Sequence, residues 1–329
     1  MSPLRHRPAP LQPVRLVDSS TTSVSYSLTP PHHKDTWMIR PKKFAWMTAL
    51  SCAALLLMVA PSHSQKPVPA ITPADGVLRL FNGRNLQGLS TWLRDSRNKD
   101  PRRVFTVHDG LLHISGNGFG YIRTKNDYRD YHLVVEFKWG PRTWGSRKDR
   151  SRDSGVLVHA AGPDGSGGGT WMASIESQII EGGCGDFIVI GGKYANGKPV
   201  PSTITCDVIS DRDGEPVWKK GGKPRKFTSG RVNWFGRDPD WKDILGFRGK
   251  RDVEQPYGKW NRMEVTCRAD TIQVRINGIL VNQARAVFPR SGKILIQTEM
   301  AEMFVRRWEI WPLGKIPKLG PVKQSSAKP

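Results

Sequence analysis

Two carboxylates and an amide lie close together in Met172–Asp186, which reads MASIESQIIEGGCGD: Glu176, Gln178 and Glu181. The segment alternates as a β-strand does. Ala173, Ile175, Ser177 and Ile179 point one way, and Ser174, Glu176, Gln178 and Ile180 point the other. Glu176 and Gln178 therefore share a face. Glu181 stands at an odd offset from Glu176, so a regular strand turns it away. A one-residue bulge near Ile179–Ile180 would bring it back beside them. A carboxylate pair of this kind can divide the work of general base and general acid, and an amide between them can hold hydroxyl groups.

The elements that must position these residues read as strands throughout. Phe105–Ile114 is a hairpin with Asp109-Gly110 at its tip, and Asn277-Gly278 makes a second tight turn. Tyr131–Trp139 (YHLVVEFKW) alternates, with Leu133, Val135 and Phe137 opposite His132, Val134, Glu136 and Lys138. Gly155–His159, Phe187–Ile190, Ser202–Ile209, Lys259–Arg268, Thr271–Asn277, Ile279–Ala284, Lys293–Glu299 and Met303–Trp311 add further strands. Two Gly-rich or charged loops, Arg142–Arg152 and Gly162–Gly169, flank the Gly155 strand. Arg212–Asp252 reads as an irregular basic loop carrying Trp218, Trp234 and Trp241. No segment past residue 64 keeps a helical period. The expected fold is therefore all-β, a two-sheet β-sandwich or jelly roll, with glycan binding on the concave face of one sheet.

Ahead of the strands the character differs. Residues 1–37 are rich in Pro, Ser, Thr and Arg and read as disordered or as a mis-called extension. Residues 38–64 have the three parts of a signal peptide: basic Arg40, Lys42 and Lys43, the apolar run Phe44–Ala60, and a small-residue cleavage site at Ser62-His63-Ser64. The expected location is secreted or periplasmic, with no membrane span after cleavage. Residues 65–75 form a Pro-rich linker, 76–314 the sandwich domain and 315–329 a polar tail. Export leaves Cys184, Cys206 and Cys267, enough for one disulfide with one cysteine over, and no spacing suits zinc.

The formal charge is +22, with basic clusters at Arg142–Arg152 and Lys219–Lys226. No nucleic-acid-binding motif accompanies them. The charge is expected at the surface, suited to an anionic glycan.

Several segments in order resemble the 3-keto-disaccharide hydrolase family, which has a concanavalin A-like (laminarinase-like) sandwich. They are Leu80–Trp92 (LFNGRNLQGLSTW), Asp109-Gly110-Leu111-Leu112, Tyr128–Phe137 (YRDYHLVVEF), Asp153-Ser154-Gly155-Val156, Ile175–Glu181 and Met303–Ile310. The chain departs from the family pattern at Asp153, Glu181 and Arg307. The resemblance implies attack on glycosides whose sugar carries a ketone at C3. The ketone acidifies the C2 proton, a base removes it, and the C1 substituent is expelled before water adds. On this basis Glu176 is the expected base, Glu181 the acid or a metal ligand, and Gln178 a group for sugar hydroxyls. His159, at the end of its strand, would contact substrate or carry a proton, and His159, Glu176 and Glu181 could hold a divalent cation that polarises the ketone; no other cofactor is implied. Gln297 and Glu299 share a face of a late strand and would line the same surface, and Trp171 could stack on a sugar ring. The spacing of Glu176, Gln178 and Glu181 also resembles that of laminarinase-type retaining glycosidases, with Gln178 in place of the central Asp. The alternative function is a lectin-like binding module without chemistry.

Overall fold

The computed structural model describes residues 69–324. The expected extension, signal peptide and start of the linker lie outside the described residues, as does the end of the tail. In chain order the strands are β1 (Leu78–Arg79), β2 (Leu89–Leu93), β3 (Phe105–His108), β4 (Leu111–Ile114), β5 (Phe119–Thr124), β6 (Tyr131–Thr143), β7 (Asp153–Ala161), β8 (Ala173–Ile180) and β9 (Phe187–Ile190). They continue as β10 (Thr203–Ser210), β11 (Pro216–Trp218), β12 (Lys223–Phe227), β13 (Gly230–Val232), β14 (Asn261–Arg268), β15 (Thr271–Ile276), β16 (Ile279–Phe288), β17 (Lys293–Glu299) and β18 (Ala301–Pro312). A single 3-10 turn, Gly145–Arg147, follows β6, and among the described residues there is no α-helix. None of them is a helix long and apolar enough to cross a membrane.

The strands form two antiparallel sheets, as the alternation predicts. One has eleven strands, running β11-β10-β16-β15-β14-β6-β18-β4-β3 with β1 and β12 paired at its sides. The other has seven, in the order β13-β9-β8-β7-β17-β5-β2. Leu133, Val135 and Phe137 of β6 face Val156, Val158, Ile175, Ile179, Phe187 and Ile296 of the seven-stranded sheet in one apolar core. Removing that surface from water is the main force holding the sheets together. The turn residues do what their chemistry allows: Asp109-Gly110 and Asn277-Gly278 both take positive φ, the geometry that matches the twist of a two-residue hairpin.

Three features differ from the sequence expectation. Arg212–Asp252 is not irregular throughout: β11 and β12 pair with β10, and β13 pairs with β9, so the segment extends both sheets. Those strands are three to five residues long, too short to impose an alternating pattern, and β12 is mostly exposed. Cys184, Cys206 and Cys267, expected to give one disulfide, are all buried and free. The polar tail lies against the sheet near β14, where Gly320 O accepts from Arg262 and Gln324 exchanges hydrogen bonds with the Trp260 backbone.

Candidate active site

With one face of the seven-stranded sheet in the core, the other face carries the chemistry. Register fixes the neighbours. Glu176 stands between Ile188 of β9 and Leu157 of β7. Gln178 is opposite Gly155, and Gln297 is opposite Tyr121, which is opposite Trp92. Asp153 is opposite Ile180, and Glu299 is opposite Phe119. Glu176, Gln178 and Gln297 thus converge around Gly155, as their shared faces predict.

Gly155 makes this convergence possible. A Cβ there would stand 2.8 Å from the Glu176 carboxyl carbon and closer still to Glu176 Oε1 and Gln297 Oε1. The Gln297 amide and the Glu176 carboxyl share the space above Gly155, and the amide favours the ionised carboxylate. Gln178 Nε2 donates to Asp153 Oδ1 at 2.5 Å. Gln178 Oε1 and Gln297 Oε1 are buried and have no partner among the described residues. Buried amide oxygens without donors are costly unless a hydroxyl or water reaches them.

Asp153 and Glu299 form a hydrogen-bonded carboxyl pair beside Glu176. Arg147, from the 3-10 turn after β6, pairs with Asp153 and lies 3.9 Å from Glu299. Burial, the Asp153 charge and the Glu176 charge together push the Glu299 carboxyl well above the usual range. Burial also raises Asp153, while Arg147 favours its ionised form. The pair therefore holds one proton, with the negative charge favoured on Asp153 beside the guanidinium. Burial and the Asp153 charge raise Glu176 to about 8, with Arg231 of β13 and the Gln297 amide opposing. Arg231 is held at the edge of the cluster by Asp186 at 2.8 Å.

An apolar shelf adjoins the polar cluster on the same face. Tyr121, Leu157, Ala160, Met172 and Leu295 pack together with Trp92, Trp171 and Ile190. Trp171 and Tyr121 rings lie 6.4 Å apart. The Gly162–Gly169 loop closes over this shelf because Asp164 accepts from Tyr121 Oη at 2.8 Å and pairs with Arg123 at 2.7 Å.

Two expected residues are elsewhere. Glu181 is not beside Glu176. The β7–β8 register runs unbroken from Val158↔Ile175 to Asp153↔Ile180, so no bulge turns it. Its carboxylate is buried against Arg152 Nη1 at 2.7 Å and accepts from the Arg152 and Gly246 backbone amides. His159 is not on the site face either. It sits in the β7 irregularity with φ 54°, donates its Nδ1–H to Pro289 O, and packs edge-on against Tyr131 in the core. Burial lowers its pKa to about 4, so it stays neutral. The expected cation set of His159, Glu176 and Glu181 is therefore not brought together. Among the described residues, no group of three or more His, Cys, Asp or Glu is arranged to hold a metal ion.

Sequence reasoning missed Asp153, Arg147, Trp92 and Tyr121 as site residues. The signal was partly present, since Asp153 has the same offset parity as Gly155 and the charged Arg142–Arg152 loop precedes it directly.

The order of these strands and motifs agrees with a family match. Residues 76–310 match the 3-keto-alpha-glucoside-1,2-lyase-like domain. The chain belongs to that family. The match spans nearly all of the described sandwich, including every strand that bears the cluster. Members of the family are named for carbohydrate chemistry, and this chain is accordingly a carbohydrate-active type of protein. Comparison with curated proteins finds no match. Among solved structures, a candidate glycosyl hydrolase from Parabacteroides distasonis is similar at 16% identity and TM-score 0.40, over 72% of this chain and 94% of that one. The CBM66 carbohydrate-binding module of Bacillus subtilis is similar at 8% identity and TM-score 0.37, over 68% and 94%. The β-glucanase of Bacillus licheniformis is similar at 12% identity and TM-score 0.36, over 72% and 98%.

Proposed function

We propose that the chain is an exported enzyme that cleaves the glycosidic bond of a 3-keto glycoside. The observation that carries this reading is Glu176: a buried carboxyl with a pKa near neutrality, flanked by two amides with unpartnered oxygens. A base tuned toward the working pH is what abstraction of a proton next to a ketone requires.

Glu176 takes the C2 proton, and the electron pair moves through C2–C3 onto the ketone oxygen. That pair returns to expel the C1 substituent, which leaves with the proton held by the Asp153–Glu299 pair. The product is an unsaturated ketone. Addition of water at C1, with a proton restored to C2, completes hydrolysis. Gln178 Oε1 and Gln297 Oε1 accept from sugar hydroxyls and fix the ring over Glu176. Trp92 and Trp171, the half-buried aromatics of the shelf, offer a surface for an adjacent ring.

The test is a panel of disaccharides, each offered as the 3-keto form and as the unoxidised parent, with product release followed. Turnover of 3-keto forms alone supports the reading. Binding of either form without turnover would make the chain a carbohydrate-binding module instead.

A further inference from the structure

A groove of about 420 Å³ lies apart from the Glu176 cluster, at the β10–β11 edge of the eleven-stranded sheet. Its walls include Ile209, Trp218, Lys219, Phe235 and Arg251. Phe235 and Ile209 are 37% and 43% exposed, and Trp218 meets Phe235 at 6.4 Å. The groove therefore has an open apolar floor with an aromatic ring on it.

A row of cations continues from its rim. Lys219 and Lys220 project from the bulge that separates β11 from β12, and β12 adds Lys223, Arg225 and Lys226. All five are exposed. Among the described residues none of them has an acidic partner, whereas nearby Arg212 is paired with Asp213 and Asp240, and Arg285 with Asp207. Asp211, also on the groove wall, is engaged by the backbone amides of Asp213 and Glu215. Arg237 is already held by Asp186.

Lysines on an edge strand discourage pairing with other sheets. That role does not call for an open aromatic floor beside them. A polymer of sugar rings bearing acid groups needs both: a surface for the C–H face of the ring and cations for the acids. An extended strand spaces Lys223 and Arg225 by roughly 7 Å on one side, a line rather than a single anion pocket.

We propose that the groove and the adjoining β11–β12 edge form a second, non-catalytic docking site for an anionic polysaccharide. The choice of glycan over nucleic acid rests on the carbohydrate reading above; the groove and its cations do not. The experiment measures binding of the purified chain to polygalacturonate, dextran sulfate, uncharged dextran and duplex DNA, at low and physiological ionic strength. The expected result is salt-sensitive binding to one or both anionic glycans, none to dextran and weaker binding to DNA. The variant Lys220→Gln/Lys223→Gln/Arg225→Gln should lose at least tenfold in affinity. Phe235→Ala should lose several-fold without changing the salt dependence. Neither variant should change turnover of a 3-keto glycoside. Polygalacturonate and dextran sulfate separate carboxylate from sulfate recognition. Equal binding to dextran, equal or tighter binding to DNA, or unchanged affinity in either variant would overturn the proposal. Binding by wild-type protein that turns over no sugar would sustain this site while removing the catalytic reading.

Discussion

Gly155 stands directly opposite Gln178, and its missing side chain leaves the space in which the Glu176 carboxyl meets the Gln297 amide. The Gly155 backbone does not have the positive φ that would itself demand glycine. The constraint is the space above it, filled by two functional groups.

Gly155→Ala should therefore displace Glu176 and Gln297 while leaving the strand intact. Overpacking of this kind costs on the order of 1–3 kcal/mol. The expected outcome is a modest fall in melting temperature and a much larger loss of turnover. Full activity in a folded Gly155→Ala protein would show that the site does not depend on this packing.

The raised Glu176 pKa has consequences of opposite sign for activity and stability. A base must be ionised, so kcat/KM should rise with pH through about 8, and a Glu176→Gln protein should lose that limb. Stability should move the other way. A carboxyl whose folded pKa exceeds its unfolded value binds more protons when folded, so the Glu176 contribution to stability is fully present below about 4.5 and is lost as pH rises to about 8. Glu299 and Asp153 are raised as well and would add to the fall. Chemical denaturation across this range measures the trend, and Glu176→Gln should flatten it.

Glu181 is expected to matter for the fold and not for the chemistry. Its ion pair with Arg152 is buried, the side chains being 5% and 7% exposed. Removing one member of such a pair leaves an uncompensated buried charge and costs about 3–5 kcal/mol. Glu181→Gln should lower stability by an amount of that order, while the protein that remains folded keeps its turnover number. A selective loss of kcat with stability unchanged would return Glu181 to the active site.

Trp171 touches the aromatic shelf and not the carboxyl cluster. Trp171→Ala should raise KM by roughly three- to tenfold, the equivalent of one lost ring contact, and leave kcat close to wild type. A fall in kcat with unchanged KM would contradict a substrate-binding role.

Alternation was enough to put Glu176 and Gln178 on one face, because a strand with one face in the core cannot slip by a residue without exposing Ile175 and Ile179. Gln297 and Glu299 were found by the same parity on β17. Parity could not say that β17 lies beside β7, which is what joins Glu299 to Asp153 and Gln297 to Glu176. Those pairings close long stretches of chain, and no local pattern encodes them. Glu181 was misplaced because a bulge is a departure from pattern, and the Gly182-Gly183 turn that follows accommodates a regular strand just as well. His159 was misread for the reverse reason: a real irregularity in β7 turns it into the core, where Pro289 O and Tyr131 hold it.

The central claim is that Glu176 removes the C2 proton of a 3-keto glycoside. Exchange of that proton with deuterium oxide, followed by NMR in wild-type and Glu176→Gln protein, tests it most directly. The account predicts enzyme-dependent loss of the C2 proton signal, slowed by roughly a hundred- to ten-thousand-fold in Glu176→Gln while the substituted protein stays folded. Exchange at the wild-type rate in Glu176→Gln would contradict it.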